Sequence, residues 1–276
     1  MKTLRYFILA IALFTFITIF QGCSDDSNPL APTGPNTSSF VYIGEEYAIG
    51  GRAKVMFYAA DSLFTGYNKV YLVLYDSVTN DLITDAHIEF SPANHGVIAP
   101  VENPEALAVN GIFSGAVVFT DPQTVADDPR HWNFNIHVHN HHAPGEPSGE
   151  AEFGGFTVLD KPGRFFKYQP DTLTTFSFAL ISPLDATTGL NDYEFLVSEK
   201  VGAVYNPFPW FNFDSLGVSL GSTFSTGNEL PVPTGNGHYK GKLNFPNAGE
   251  WNIFMLFQHH SGGPIHSADI FRINAQ

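Results

Sequence analysis

The stretch 110-NGIFSGAVVF-119 has a counterpart in 236-NGHYKGKLNF-245, so one pattern, N-G-x-aromatic-x-G-x-x-x-F, occurs twice in the chain. Asn-Gly ahead of an alternating apolar run predicts a hairpin turn, because both residues tolerate positive φ. A glycine inside such a strand, Gly115 in one copy and Gly241 in the other, predicts a bulge or the close approach of another backbone. Other landmarks keep the same order. Gly66-Tyr67-Asn68 precedes the first copy as Gly189-Leu190-Asn191 precedes the second. Trp132-Asn133 leading to His141-His142 is matched by Trp251-Asn252 leading to His259-His260. Landmarks repeated in one order predict two tandem copies of one structural plan.

Between the landmarks run short apolar segments of period two: 53-AKVMFYA-59, 69-KVYLVLYD-76, 173-LTTFSFALI-181 and 251-WNIFMLF-257. Aromatic and β-branched residues dominate them, and Gly, Pro, Asn and Asp interrupt them about every ten residues, the pattern of antiparallel strands. No stretch after residue 22 has helical periodicity. The expected fold is all-β, with two tandem immunoglobulin-like antiparallel β-sandwich domains over residues 39–160 and 161–276. The Pro- and Gly-containing segment 159-LDKPGR-164 marks the boundary. Trp132 and Trp251 are expected to fill the cores between sheets.

The amino terminus has a different character. Lys2 and Arg5 precede an apolar run from Phe7 to Phe20, followed by Gly22 and the chain's one cysteine, Cys23. This is the layout of a secretory signal peptide over residues 1–22, and the run is short for a membrane span of ~20 residues. Phe20-Gln21-Gly22-Cys23 resembles a bacterial lipobox, which implies that Cys23 is lipidated and anchors the protein to the outer membrane, facing the periplasm or the outside. Residues 23–38 are polar and rich in Pro, Ser and Asn, and are expected to form a flexible tether. Loss of residues 1–22 removes Lys2 and Arg5 but no acid, so the formal charge moves from −14 to −16. That charge argues against nucleic acid as a partner, since its binding rests on neutralising phosphates.

The segment 235-GNGHYKGKLNFPNAGEWNI-253 resembles the YtkA-like family of bacterial secreted domains, and residues 110–134 carry the resemblance in weaker form. The resemblance implies an immunoglobulin-like fold, no established reaction and, in some members, a link to copper handling. Members commonly carry methionines that serve as soft ligands for copper(I). Here the corresponding segments, 219-SLGSTF-224 and 91-SPANHG-96, contain none. A copper(I) site of that kind is therefore not expected.

Histidine is the more informative donor. Five of the eleven histidines fall within 131-HWNFNIHVHNHH-142. On a regular strand Trp132, Phe134, Ile136 and Val138 share one face, leaving His137 and His139 on the other, ~7 Å apart. Two imidazoles at that separation can converge on one Zn²⁺, Cu²⁺ or Ni²⁺ ion. His141 continues the face, and His95 or Glu89 is the candidate for a further ligand from a neighbouring strand or loop. The same residues also fit a plain solvated face, because alternation requires polar side chains there. His238 fits a packed strand position as well as a ligand.

No G-x-S-x-G, H-E-x-x-H, P-loop or dinucleotide-binding pattern occurs, so a non-enzymatic protein is expected. The aromatic segment 205-YNPFPWFNF-213 is expected either to pack between the domains or to recognise a protein, glycan or peptide through Trp210 and Phe211. Two functions follow. The first is a lipid-anchored envelope module that handles copper, zinc or another transition metal. The second is a structural or adhesive surface lipoprotein that meets a protein or glycan partner through the aromatic segment.

Overall fold

The computed structural model describes residues 34–123 and 132–276, of which Pro35–Gln276 form one compact unit. The expected signal peptide, Cys23, the tether as far as residue 33, and His131 lie outside the described residues. The first ten strands are β1 (Val41–Ala48), β2 (Ala53–Ala59), β3 (Gly66–Asp76), β4 (Leu82–Ile83), β5 (Ala86–Asn94), β6 (Val97–Ile98), β7 (Val101–Glu102), β8 (Phe113–Phe119), β9 (Asn133–Asn140) and β10 (Ser148–Phe153). The next ten are β11 (Phe165–Tyr168), β12 (Thr175–Ser182), β13 (Gly189–Val201), β14 (Val204–Pro207), β15 (Phe211–Leu220), β16 (Thr223–Phe224), β17 (Glu229–Gly235), β18 (His238–Phe245), β19 (Gly249–His259) and β20 (His266–Ala275). No helix occurs among the described residues, and the chain is an all-β sandwich protein.

Sheet β1-β2-β3-β8-β7 faces strands β10-β9-β5 across one apolar core, built from Val55, Phe57, Phe113, Phe119, Trp132, Phe134 and their neighbours. A second core, with Phe178, Phe195, Tyr239, Trp251 and Phe257, lies between β11-β12-β13-β18 and β15-β19-β20. The inward residues are those that the period-two pattern selects. Burial alternates along β5, β9 and β10, where one face meets the core and the other meets solvent. Strands β3, β8 and β12 also bury residues of their opposite face where the two halves meet. Tyr67, Ala116 and Val118 pack on Ala179 and Leu196 in a third cluster. A parallel bridge, Val204 with Ile98, continues one sheet from β6 into β14.

The repeated landmarks serve the same purpose in both halves. Asn110-Gly111 and Asn236-Gly237 all have positive φ, as their hairpin turns require. The Asn68 side-chain amide donates to the carbonyls of Phe64 and Gly66, and that of Asn191 donates to those of Thr187 and Gly189. Trp132 and Trp251 are buried, and their indole N–H groups donate to Asp121 O and Asn247 O, both at 2.9 Å.

Gly115 and Gly241 mark close approaches of a neighbouring backbone. A Cβ on Gly115 would stand 2.6 Å from both Glu102 O and the Phe90 ring, and one on Gly241 would stand 2.7 Å from Glu229 O. Gly115→Ala is therefore expected to destabilise the protein by about 1–3 kcal/mol through overpacking. Gly154→Ala, where a Cβ meets nothing within 4 Å, should stay within about 0.5 kcal/mol of the parent. Urea unfolding of the two variants checks the contrast, and equal midpoints would refute it.

Candidate functional site

The outer face of β5, β9 and β10 carries the histidines singled out in the sequence. Register sets their neighbours. His137 lies between Glu89 on β5 and Glu150 on β10, and His139 lies between His87 and Ser148. Cross-strand partners of this kind have Cβ atoms ~4.5–5.5 Å apart, so His87, Glu89, His137 and His139 form a two-by-two array on one exposed face. His87 Nε2 is 3.1 Å from Glu89 Oε1, His137 Nδ1 is 4.0 Å from Glu150 Oε1, and His139 Nε2 is 3.8 Å from Glu146 Oε2. The side chains thus stand as separate pairs. Among the described residues no group of three or more His, Cys, Asp or Glu side chains is arranged to hold a metal ion. On the same face the buried carbonyl oxygens Asn133 Oδ1 and Asn135 Oδ1 have no hydrogen-bond partner among the described residues.

Two further expected ligands lie elsewhere. His141 follows the end of β9, its Nδ1 is 2.8 Å from Asp85 Oδ1, and its ring meets that of His139 edge-on at 4.8 Å. It borders the array without joining it. His95 sits at positive φ in the turn between β5 and β6, six residues beyond Glu89. At ~3.3 Å per residue it lies about 20 Å along the strand from the His137 level, too far to share an ion with His137 or His139. Glu89, the other residue expected to approach, is directly opposite His137.

The aromatic segment divides differently from either expectation. Phe208, Phe211 and Phe213 belong to the second core, and Phe211 is only 2% exposed. Its ring contacts Phe176, Phe208, Phe178 and Phe257 at centroid distances of 4.8–5.9 Å, and its N–H donates to Tyr239 Oη at 2.9 Å. Phe211 is therefore a core residue and not a docking surface, because β15 turns it inward. Trp210, one residue earlier, is 50% exposed and packs on the His260 ring at 5.0 Å.

A second polar constellation lies in a cleft of about 760 Å³ between the two halves, lined by Tyr67, Glu102, Glu105, Ser198, Tyr205 and His238 among others. His238, from the Asn236-Gly237 hairpin, reaches Glu102 Oε1 of β7 with Nε2 at 2.5 Å and Glu194 Oε1 of β13 with Nδ1 at 2.8 Å. An ionised carboxylate only accepts, so with both glutamates ionised it is the doubly protonated ring that donates to each of them. Tyr67 donates its hydroxyl to Glu102 Oε2 at 2.7 Å, and Lys240 Nζ is 3.3 Å from Glu194 Oε2. The Glu102 hydrogen bond raises the pKa of His238; burial opposes it and Glu194 adds to it. Burial works to raise Glu102, but the hydrogen bonds from His238 and Tyr67 outweigh it and hold this carboxyl below its usual range. Tyr67 is raised by burial and by Glu102.

No family model and no curated protein matches the chain. Among solved structures, similar chains include the Yersinia pseudotuberculosis adhesin InvE, at 11% identity and a TM-score of 0.24 over 88% of this chain. Another is an endo-fucoidan hydrolase of glycoside hydrolase family 107, at 13% identity and a TM-score of 0.24 over 78% of this chain. The chain spans 60% of the adhesin and 27% of the hydrolase. Likeness at this level carries no argument about function.

Two parts of these sites were absent from the sequence reading. His87 was missed although 86-AHIEF-90 alternates clearly, because only register reveals which residues stand opposite. The Glu102–His238–Glu194 contact spans residues far apart in the chain and left no local signal.

Proposed function

We propose that the protein is a non-enzymatic, lipid-anchored envelope module that captures a divalent transition-metal ion, copper or zinc, on the face formed by His87, Glu89, His137 and His139. The observation that carries this reading is the register of β5 against β9, which sets a His-x-Glu segment opposite a His-x-His segment. His87 and Glu89 are exposed, so rotation of solvated side chains is enough to break their mutual contact. Imidazole nitrogen with one carboxylate is a donor set for Zn²⁺ or Cu²⁺. The lipobox-like Cys23 and the YtkA-like segment 235–253 support an envelope location. Calorimetric titration of the mature chain with Zn²⁺ and Cu²⁺ tests the reading. Joint His137→Ala and His139→Ala substitution is expected to abolish binding, His87→Ala to weaken it at least about ten-fold as loss of a direct ligand, and His95→Ala to leave it unchanged. Absence of binding, or binding indifferent to the double substitution, would overturn it.

A second reading, adhesion to a protein or glycan partner, is favoured by one observation, the half-exposed Trp210 ring on His260. It predicts partner capture that is lost in Trp210→Ala and kept in the histidine variants.

A further inference from the structure

We infer that Glu102, His238 and Glu194 form a pH-sensitive clamp that fixes the two sandwich halves to each other. The inference is independent of the metal reading. Three observations support it. His238 projects from β18 of the second half, and its two ring nitrogens engage one carboxylate of the first half and one of the second, at 2.5 and 2.8 Å. The carboxylates are themselves held in place: Glu102 by the Tyr67 hydroxyl and Glu194 by Lys240. His238 is also mostly shielded from solvent, its side chain 20% exposed, so water screens the contacts less than on an open surface.

The charged and titratable groups around the imidazole are Glu102 on β7, Tyr67 and Lys69 on β3, Glu105 in the following loop, Glu194 on β13, Tyr205 on β14 and Lys240 on its own strand. The two carboxylates in contact make the protonated ring the matching partner. A neutral ring carries a single N–H, so deprotonation leaves one nitrogen lone pair facing a carboxylate, either Glu102 across the junction or Glu194 on the same half, and the set of two donated bonds is broken. The direction is fixed by linkage. Because His238 is raised when folded, its contribution is fully present below its unfolded value of 6.5 and is lost as the pH rises through the folded value. Glu102 is lowered, so its contribution is present above its unfolded value of 4.5 and is lost as the pH falls through its folded value. The clamp therefore holds between these limits. It loosens on the alkaline side when His238 loses its proton and on the acid side when Glu102 gains one. Tyr67, Ala116, Val118, Ala179 and Leu196 keep an apolar contact at the junction, so the expected change is loosening and not separation of the halves.

The backbone supplies a reporter. The Ile98 amide donates to Ala203 O across the junction at 2.8 Å, whereas the Ile49 amide donates to Glu150 O within the first half. Hydrogen exchange of the mature chain, corrected for the intrinsic rate, is expected to show Ile98 protection lost progressively from about pH 6 to about pH 9, as the imidazole gives up its proton. Ile49 protection should hold constant. His238→Lys keeps a cation to ~pH 10, so Ile98 protection should become independent of pH over this range. His238→Gln should show weak Ile98 protection at both pH values. Constant Ile98 protection in the parent protein, or the same fall in His238→Lys, overturns the clamp. The parent and lysine variant decide the matter even if the glutamine variant does not fold.

Discussion

Trp251→Ala is expected to destabilise the protein by about 3–5 kcal/mol, the range for removing a fully buried large aromatic side chain. The indole is 0% exposed, packs against Phe245 at 5.9 Å, and donates Nε1–H to Asn247 O. Alanine leaves a cavity between β18 and β19 and strips that carbonyl of its donor, so loss of apolar burial and loss of a partly buried hydrogen bond act together. Trp132→Ala should act comparably in the first core, where the ring meets Phe119 edge-on at 5.1 Å and donates to Asp121 O. Urea unfolding followed by circular dichroism measures both effects. A loss below about 1 kcal/mol would show that the tryptophans are peripheral to the cores.

Phe211→Ala is expected to cost about 3–5 kcal/mol, whereas Trp210→Ala stays within about 0.5 kcal/mol. The two residues are adjacent in sequence yet differ in environment. Phe211 is enclosed by four aromatic rings of the second core, and its N–H is tied to the Tyr239 hydroxyl, which in turn donates to Phe208 O. Trp210 rests on His260 at the surface. Binding experiments that change both residues together would confuse unfolding with loss of a contact surface, so Trp210 alone is the informative substitution. Equal effects of the two on thermal unfolding would contradict the arrangement.

The strands were legible because alternation is a local property. In 132-WNFNIHVH-139 the apolar residues fall on one face and the polar residues on the other whatever the rest of the chain does, and β9 has that pattern of burial. The turn and close-approach roles of Asn110-Gly111, Asn236-Gly237, Gly115 and Gly241 were equally legible, since positive φ and a missing Cβ constrain the residue itself. Phe211 was misread because an aromatic segment broken by Pro207 and Pro209 resembles an exposed loop; its burial depends on β15 pairing with β19. His95 was misread for a related reason. Nearness to the strand in sequence did not reveal that it lies at the far end of β5 from the histidines of β9.

The order of residues alone was enough for the all-β character, the paired landmarks and the outward direction of His137 and His139, because each depends on backbone preferences within a few residues. Register and docking then chose the partners. His87 stands opposite His139 only because β5 and β9 pair as they do, and Glu102 meets His238 across a separation of 136 residues. Such contacts arise when two apolar faces are buried against each other, and the pattern of a single strand does not specify which polar groups that burial brings together.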